Sequence, residues 1–168
     1  MKRMLKLIAI TTIFSISSII FAEETYLSGK QSAKTMAANR SLEVFKSPTC
    51  GCCQKWIDHI NASGIRSSSK NIDNMSEVKS KYGILKSQQS CHTSVSSEGY
   101  VFEGHIPARV IKKFLANPPE NALGLSVPGM PVGSPGMEMG RRHVDYKVLL
   151  LLENGVSSVY EEISKHSH

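Results

Sequence analysis

After its first two dozen residues, this 168-residue chain has no apolar run long enough to cross a bilayer, which takes about 20 consecutive residues. No Gly-rich phosphate loop is present, and no nucleophile sits in a setting that would suggest a hydrolase. There is no long repeat and no composition shift that would mark an internal domain boundary. Its 20 Lys and Arg and 14 Asp and Glu form no block of one sign, which is the pattern of a solvated surface. With 40% hydrophobic residues, the chain can bury one ordinary core.

The first 22 residues are a different matter. Met1-Lys2-Arg3-Met4-Leu5-Lys6 is short and positive, residues 7–21 are apolar with small hydroxyl residues, and Ala22 precedes Glu23-Glu24. That is the layout of a secretory signal peptide cut after Ala22, although Ile20 is a less usual residue three before the cut. An uncleaved anchor is the alternative. No cysteine follows the apolar run, so a lipoprotein anchor is not indicated. Cleavage removes Lys2, Arg3 and Lys6 and no acid, halving the formal net charge of +6. A nucleic-acid partner thereby loses its main support, and no stable membrane insertion is expected of the mature chain. The expected location is the periplasm.

Four cysteines are present, Cys50, Cys52, Cys53 and Cys91. An even count in an exported chain first suggests two disulfides. The spacing argues otherwise, because three of the four lie within four residues, and a structural staple stabilises more when it closes a longer loop. Cys50 and Cys53 have the Cys-x-x-Cys spacing of a redox pair. Cys52 does not belong to that scheme, since a third thiol would compete in any mixed disulfide. For a soft metal the extra thiol is useful. Neighbouring Cys52 and Cys53 point in different directions and chelate one ion poorly, but they can bridge adjacent Cu(I) ions. Zinc is the lesser alternative: its structural sites usually need two separate ligand pairs, and here only Cys91-His92 could supply the second.

The pattern predicts a strand at 42–45, a loop at Ser47-Pro48-Thr49, and a helix from about Cys50–Cys52 to 62, with Trp56, Ile57 and Ile60 on its apolar face. A strand within 65–72 and a helix at 75–82 follow. A hairpin spans 93–95 and 100–102, and a helix begins at Pro107 with Val110, Ile111, Phe114 and Leu115 buried. Residues 123–140 read as loop, and a last hairpin covers 146–152 and 156–160 across Asn154-Gly155. The order β-α-β-α-β-β-α, with cysteines opening the first helix, is that of an α/β, thioredoxin-like single domain whose central mixed sheet is flanked by helices. The expected organisation is a signal peptide at 1–22, a flexible leader at 23–40, the domain at 41–162 and a His-containing tail at 163–168. A cysteine at a helix N-terminus meets unpaired N–H groups and the helix dipole, which favour the thiolate. Redox members of that fold usually carry a cis-proline facing the cysteine loop. Here Ser90-Cys91-His92-Thr93 puts two metal ligands at that place instead.

Met130 and Met137 sit in near-identical Pro-Gly-Met settings, in a loop expected to be mobile and to admit the metal. Thioether sulfur is a soft, neutral ligand for Cu(I), and plain hydrophobic plugging is the alternative. Met139 lacks the Pro-Gly setting. His105, in Glu103-Gly104-His105-Ile106-Pro107, gains weight as a ligand from Cys91 and His92. His59 reads as solvent-facing, His143 has no supporting context, and His166 and His168 sit on the tail.

These segments together resemble the periplasmic copper-resistance family CopG, which is unrelated to the ribbon-helix-helix repressor of the same name. The resemblance covers about 42–152 and rests on Ser47-Pro48-Thr49-Cys50-Gly51-Cys52-Cys53, Ser90-Cys91-His92-Thr93, Glu103-Gly104-His105-Ile106-Pro107-Ala108 and the stretch from Gly124 to Glu138 that holds both Pro-Gly-Met turns. It implies copper binding at a cysteine-bridged polynuclear site and a role in copper tolerance beside periplasmic chaperones or efflux components. By position it implies Cys50, Cys52, Cys53 and Cys91 as metal ligands, with His92, His105, Met130 and Met137 in second rank. Interconversion of Cu(I) and Cu(II) fits the same residues, although metal binding is a better description than enzyme. The competing reading is a thiol–disulfide oxidoreductase using Cys50 and Cys53, and fold alone does not choose between the two.

Overall fold

The computed structural model describes residues 41–165. The signal segment, the leader, His166 and His168 lie outside them. Strands β1 (Ser41–Lys46), β2 (Arg66–Asn71), β3 (His92–Ser96), β4 (Val101–Glu103), β5 (Ala122–Ser126), β6 (Tyr146–Leu152) and β7 (Ser157–Ile163) alternate with helices α1 (Gly51–Ala62), α2 (Met75–Lys81) and α3 (Ala108–Ala116). A 3-10 turn at Lys86–Gln88 precedes β3. The expected order β-α-β-α-β-β-α runs through Ala116, and three further strands follow it.

All seven strands form one mixed sheet in the order β2-β1-β3-β4-β5-β6-β7. The β1–β2 and β4–β5 pairs are parallel, and the remaining pairs are antiparallel. Successive side chains of a strand face opposite sides of a sheet, and β4 shows the consequence. Phe102 joins the main core with Trp56, Ile60, Val110, Ile111 and Phe114, whereas Val101 joins a smaller cluster with Ile84 and Leu151. Helices α1 and α3 therefore cover one face, and the segment after α2 covers the other. Helix α1 buries Cys53, Trp56, Ile57 and Ile60, the i, i+3, i+4, i+7 stripe of an amphipathic helix. Helix α3 buries Val110, Ile111 and Phe114 as expected, while Leu115 is partly exposed and packs at the core's margin.

Residues 123–126 are strand rather than loop. Leu125 pairs with Phe102 on one side and with Leu150 on the other, so β5 is a central strand despite its Gly124. A glycine inside a strand often marks a close backbone approach, and here it does. A Cβ built on Gly124 would lie 1.8 Å from the carbonyl oxygen of Val101. The final hairpin also runs longer than the alternation suggests, because Ile163 is paired with Tyr146 and buried.

Gly124→Ala is expected to destabilise the domain by about 2–4 kcal/mol through this backbone clash, read as a lower urea midpoint. An unchanged midpoint would show that β5 can shift away from Val101 at little cost.

Candidate metal centre

The chain turns sharply after β1, where the Cys50 N–H donates to the Ser47 carbonyl at 3.1 Å. Cys50 is the extended residue that precedes α1, and Gly51 is the first helical one. One turn of helix thus presents three sulfurs. Cys53 points into the core, while Cys50 and Cys52 are half-buried. Cys91, just before the interior strand β3, completes the group. Cys50 and Cys53 are joined as a disulfide, and Cys52 and Cys91 are free thiols. The Cys53 and Cys91 sulfurs are 3.5 Å apart, as are those of Cys50 and Cys52. All four sulfurs lie within 4.8 Å of one another, so the neighbours Cys52 and Cys53 converge on one cluster more closely than their sequence adjacency suggests.

A second group shares Cys91. Its Sγ is 3.0 Å from His105 Nε2 and 3.4 Å from His92 Nδ1, and these three donors also lie within 4.8 Å of one another. His105 Nδ1 is 2.8 Å from the Pro135 carbonyl. A carbonyl only accepts, so Nδ1 carries the proton and Nε2 turns its lone pair toward Cys91. Burial holds His105 below the usual histidine range. His92 is fully buried, with its ring centroid 4.3 Å from that of Trp56 and 5.0 Å from that of His105. Burial, then the neighbouring His105 and Lys79, hold His92 well below the usual range. Its Nε2 has no hydrogen-bond partner among the described residues. The expectation of an easily ionised thiol does not extend to Cys91. Burial, then the Cys52 thiol beside it, push Cys91 up to about 12. This cysteine precedes a strand and has no helix N-terminus to stabilise its anion.

What fixes the Cys91 segment was not visible in the sequence motifs. Glu103 is fully buried in β4, opposite Thr93 of β3. One carboxylate oxygen accepts the Ser90 N–H at 2.6 Å and pairs with the Lys79 ammonium from α2. The other accepts the Thr93 hydroxyl at 2.6 Å. The residues on either side of Cys91-His92 are thus tied to one carboxylate. A charged residue in a short strand between Phe102 and Gly104 was the available signal. Trp56 ties the opposite side, its indole N–H donating to the Ile106 carbonyl at 2.9 Å.

The Pro-Gly-Met turns lie against the same elements. Gly129 donates its N–H to the Gln89 carbonyl at 2.9 Å and accepts the Ser90 hydroxyl, which anchors the turn of Met130 next to Cys91. Met130 itself is exposed. The second turn packs on α1, where a Cβ on Gly136 would come within 2.7 Å of the Cys52 carbonyl oxygen. Met137 is half-buried, and its carbonyl accepts the Gly133 N–H at 3.0 Å. The loop expected to be mobile is therefore pinned at several points. His59 does not simply face solvent, because its Nε2 accepts the Ala108 N–H at the start of α3, at 3.1 Å. His143 packs beside Gly133.

Residues 88–137, which carry most of these elements, match the family model described as a protein of unknown function, DUF411. A search of curated proteins finds no match. Two solved structures are similar. The copper resistance protein copG in its form 2 is 42% identical, with a TM-score of 0.70, over 74% of this chain and 98% of that one. Its form 1 is 43% identical, with a TM-score of 0.69, over 73% of this chain and 96% of that one.

Removing one partner of a buried ion pair leaves the other charge uncompensated, which costs about 3–5 kcal/mol. Glu103→Ala is expected to destabilise the domain by that amount in urea unfolding. The double variant Glu103→Leu with Lys79→Met should recover much of the loss, and a double variant as unstable as the single one would contradict the ion-pair explanation.

Proposed function

This chain belongs to the family of the copper resistance protein CopG, and from that we propose that it binds Cu(I) at a cysteine-bridged, polynuclear site in the periplasm. The convergence of four sulfurs within 4.8 Å carries the reading. Thiolate is the ligand class that selects Cu(I), and thiolates packed this densely bridge ions rather than serving one each. His92 and His105 supply imidazole at the edge of the cluster, and Met130 and Met137 supply thioether on the loop that overlies it. The Cys50–Cys53 disulfide must first be opened by a thiol reductant, so copper affinity is coupled to redox state. The reverse step supplies electrons. Oxidation of the Cys50 and Cys53 thiols to the disulfide releases two protons and two electrons, enough to reduce two Cu(II) to Cu(I). With Cys91 held protonated by burial, metal entry displaces its proton, and affinity rises with pH.

The disulfide also favours a second reading, a thiol–disulfide oxidoreductase that uses Cys50 and Cys53. Anaerobic titration of the reduced mature chain with Cu(I), counted by mass spectrometry, separates the two. Several copper ions per chain are expected, with proton release, a lower count in Cys52→Ser and no catalysis of insulin-disulfide reduction. A copper count untouched by Cys52→Ser would remove the bridging role. Absence of retained copper together with brisk insulin reduction would establish the oxidoreductase.

The export reading rests on the segment before Glu23. Fractionation of expressing cells should recover the chain in the periplasm with Glu23 as its first residue. Recovery of full-length chain in the membrane fraction would establish the uncleaved anchor instead.

A further inference from the structure

We infer that the oxidised chain, with Cys50 and Cys53 joined, keeps a distinct three-donor site for a divalent cation of the zinc or Cu(II) class, formed by Cys91, His92 and His105. The inference deepens the copper reading and rests on it for the idea that metal is this site's cargo. Its observations are separate ones. A disulfide withdraws Cys50 and Cys53 from the cluster, since neither sulfur is then a thiolate. Cys91 remains a free thiol, and its sulfur stays 3.0 Å from His105 Nε2 and 3.4 Å from His92 Nδ1. A tetrahedral ion about 2.3 Å from sulfur and about 2.0–2.1 Å from nitrogen spaces such donors roughly 3.5 Å apart, so the group needs only slight opening.

The surroundings are those of a supported ligand set. Pro135 accepts from His105 Nδ1 and leaves Nε2 as the free donor, the arrangement that orients metal-bound imidazoles. His92 is fully buried, and its Nδ1 is the nitrogen that lies 3.4 Å from the Cys91 sulfur, so the fold holds this donor in place without help from solvent. One thiolate with two imidazoles is a borderline set. It suits zinc or Cu(II), whereas the four-thiol cluster suits Cu(I). Opening the Cys50–Cys53 disulfide adds two soft thiolates beside Cys91, which shifts the preference of the site toward Cu(I).

Cobalt(II) is a suitable probe, because a bound thiolate gives it a charge-transfer band in the near ultraviolet. The mature chain, its Cys50–Cys53 disulfide verified by mass, is titrated with Co(II) under anaerobic conditions. One ion per chain is expected, with the charge-transfer band present and Zn(II) displacing it. Cys91→Ser should abolish the band, and His105→Ala should weaken binding at least about tenfold, the size of effect that disturbance of a ligand shell produces. Cys91→His should restore binding without the band, which guards against misfolding of the serine variant. No Co(II) bound by the oxidised chain, or a band that survives Cys91→Ser, overturns the inference. Reduced chain titrated with Cu(I) in parallel keeps the two readings apart. Copper(I) uptake without Co(II) uptake refutes only the divalent site, and the opposite result refutes only the Cu(I) cluster.

Discussion

The arrangement around the cysteines depends on a single buried carboxylate. Glu103 of β4 joins two other parts of the chain: it holds the Ser90 N–H and the Thr93 hydroxyl at the start of β3, and the Lys79 ammonium of α2. Taking a carboxylate and an ammonium out of water costs several kcal/mol for each ion, and their attraction recovers this only when the remaining lone pairs are also satisfied. Here both carboxylate oxygens are engaged. An apolar pair of similar volume would fill the space with less desolvation, but it could not hold the Ser90 N–H or the Thr93 hydroxyl. The ion pair therefore acts on where Cys91 and His92 stand, and its contribution to overall stability is secondary. Lys79 also contributes electrostatically, as one of the charges that keep His92 neutral.

The opposite wall of the centre is set by helix packing. Cys53 occupies the same stripe of α1 as Trp56, Ile57 and Ile60, so burying that stripe against the sheet delivers its sulfur to the Cys91 side. Cys50 and Cys52 are carried along on the same first turn. The loop of Pro128 to Gly140 then closes over both walls. Its glycines permit this at Gly136, which presses on the backbone of Cys52 and Trp56 with positive φ of 85°, a position where any Cβ would collide. The same turn sends the Pro135 carbonyl to His105. One loop thus sets the ring orientation of a candidate ligand and covers the helix end that carries the cysteines.

The sequence makes some of this legible and hides the rest for physical reasons. Periodicity exposes α1 and α3, because apolar side chains at 56, 57 and 60 or at 110, 111 and 114 announce a buried face. The turn residues Asn154-Gly155 expose the last hairpin. The Cys-Gly-Cys-Cys run, Cys91-His92 and His105 are recognisable as candidate ligands by type, and the fold does bring them together. Strand β5 is hidden because Gly124 looks like loop punctuation until Val101 is seen to lie against it. The Lys79–Glu103 pair is hidden because 24 residues separate its members and no local pattern links a helix lysine to a strand glutamate. His59 is hidden for the same reason, since the N–H that it accepts belongs to Ala108, 49 residues on. The Cys-x-x-Cys spacing marks Cys50 and Cys53 as a possible pair, and the geometry shows them bonded while Cys52 and Cys91 stay free.

Cys91 belongs to both donor groups, and this has a thermodynamic consequence for the proposed scheme. A thiolate committed to a Cu(I) cluster is not free for a divalent ion with His92 and His105, so the two occupancies exclude each other. Each metal then stabilises the redox state that it binds, by mass action. Cu(I) draws the Cys50–Cys53 pair toward the dithiol, and a divalent ion draws it toward the disulfide only by as much as it binds that form more tightly. For a two-electron couple, each tenfold preference shifts the midpoint by about 30 mV. A modest difference in affinity between the two forms would therefore be enough to let the prevailing copper state set the thiol state. In that scheme the histidines beside Cys91 provide the alternative ligands that a purely sulfur site would lack, and the rigid hold of Glu103 on both sides of Cys91 keeps its sulfur within reach of either set.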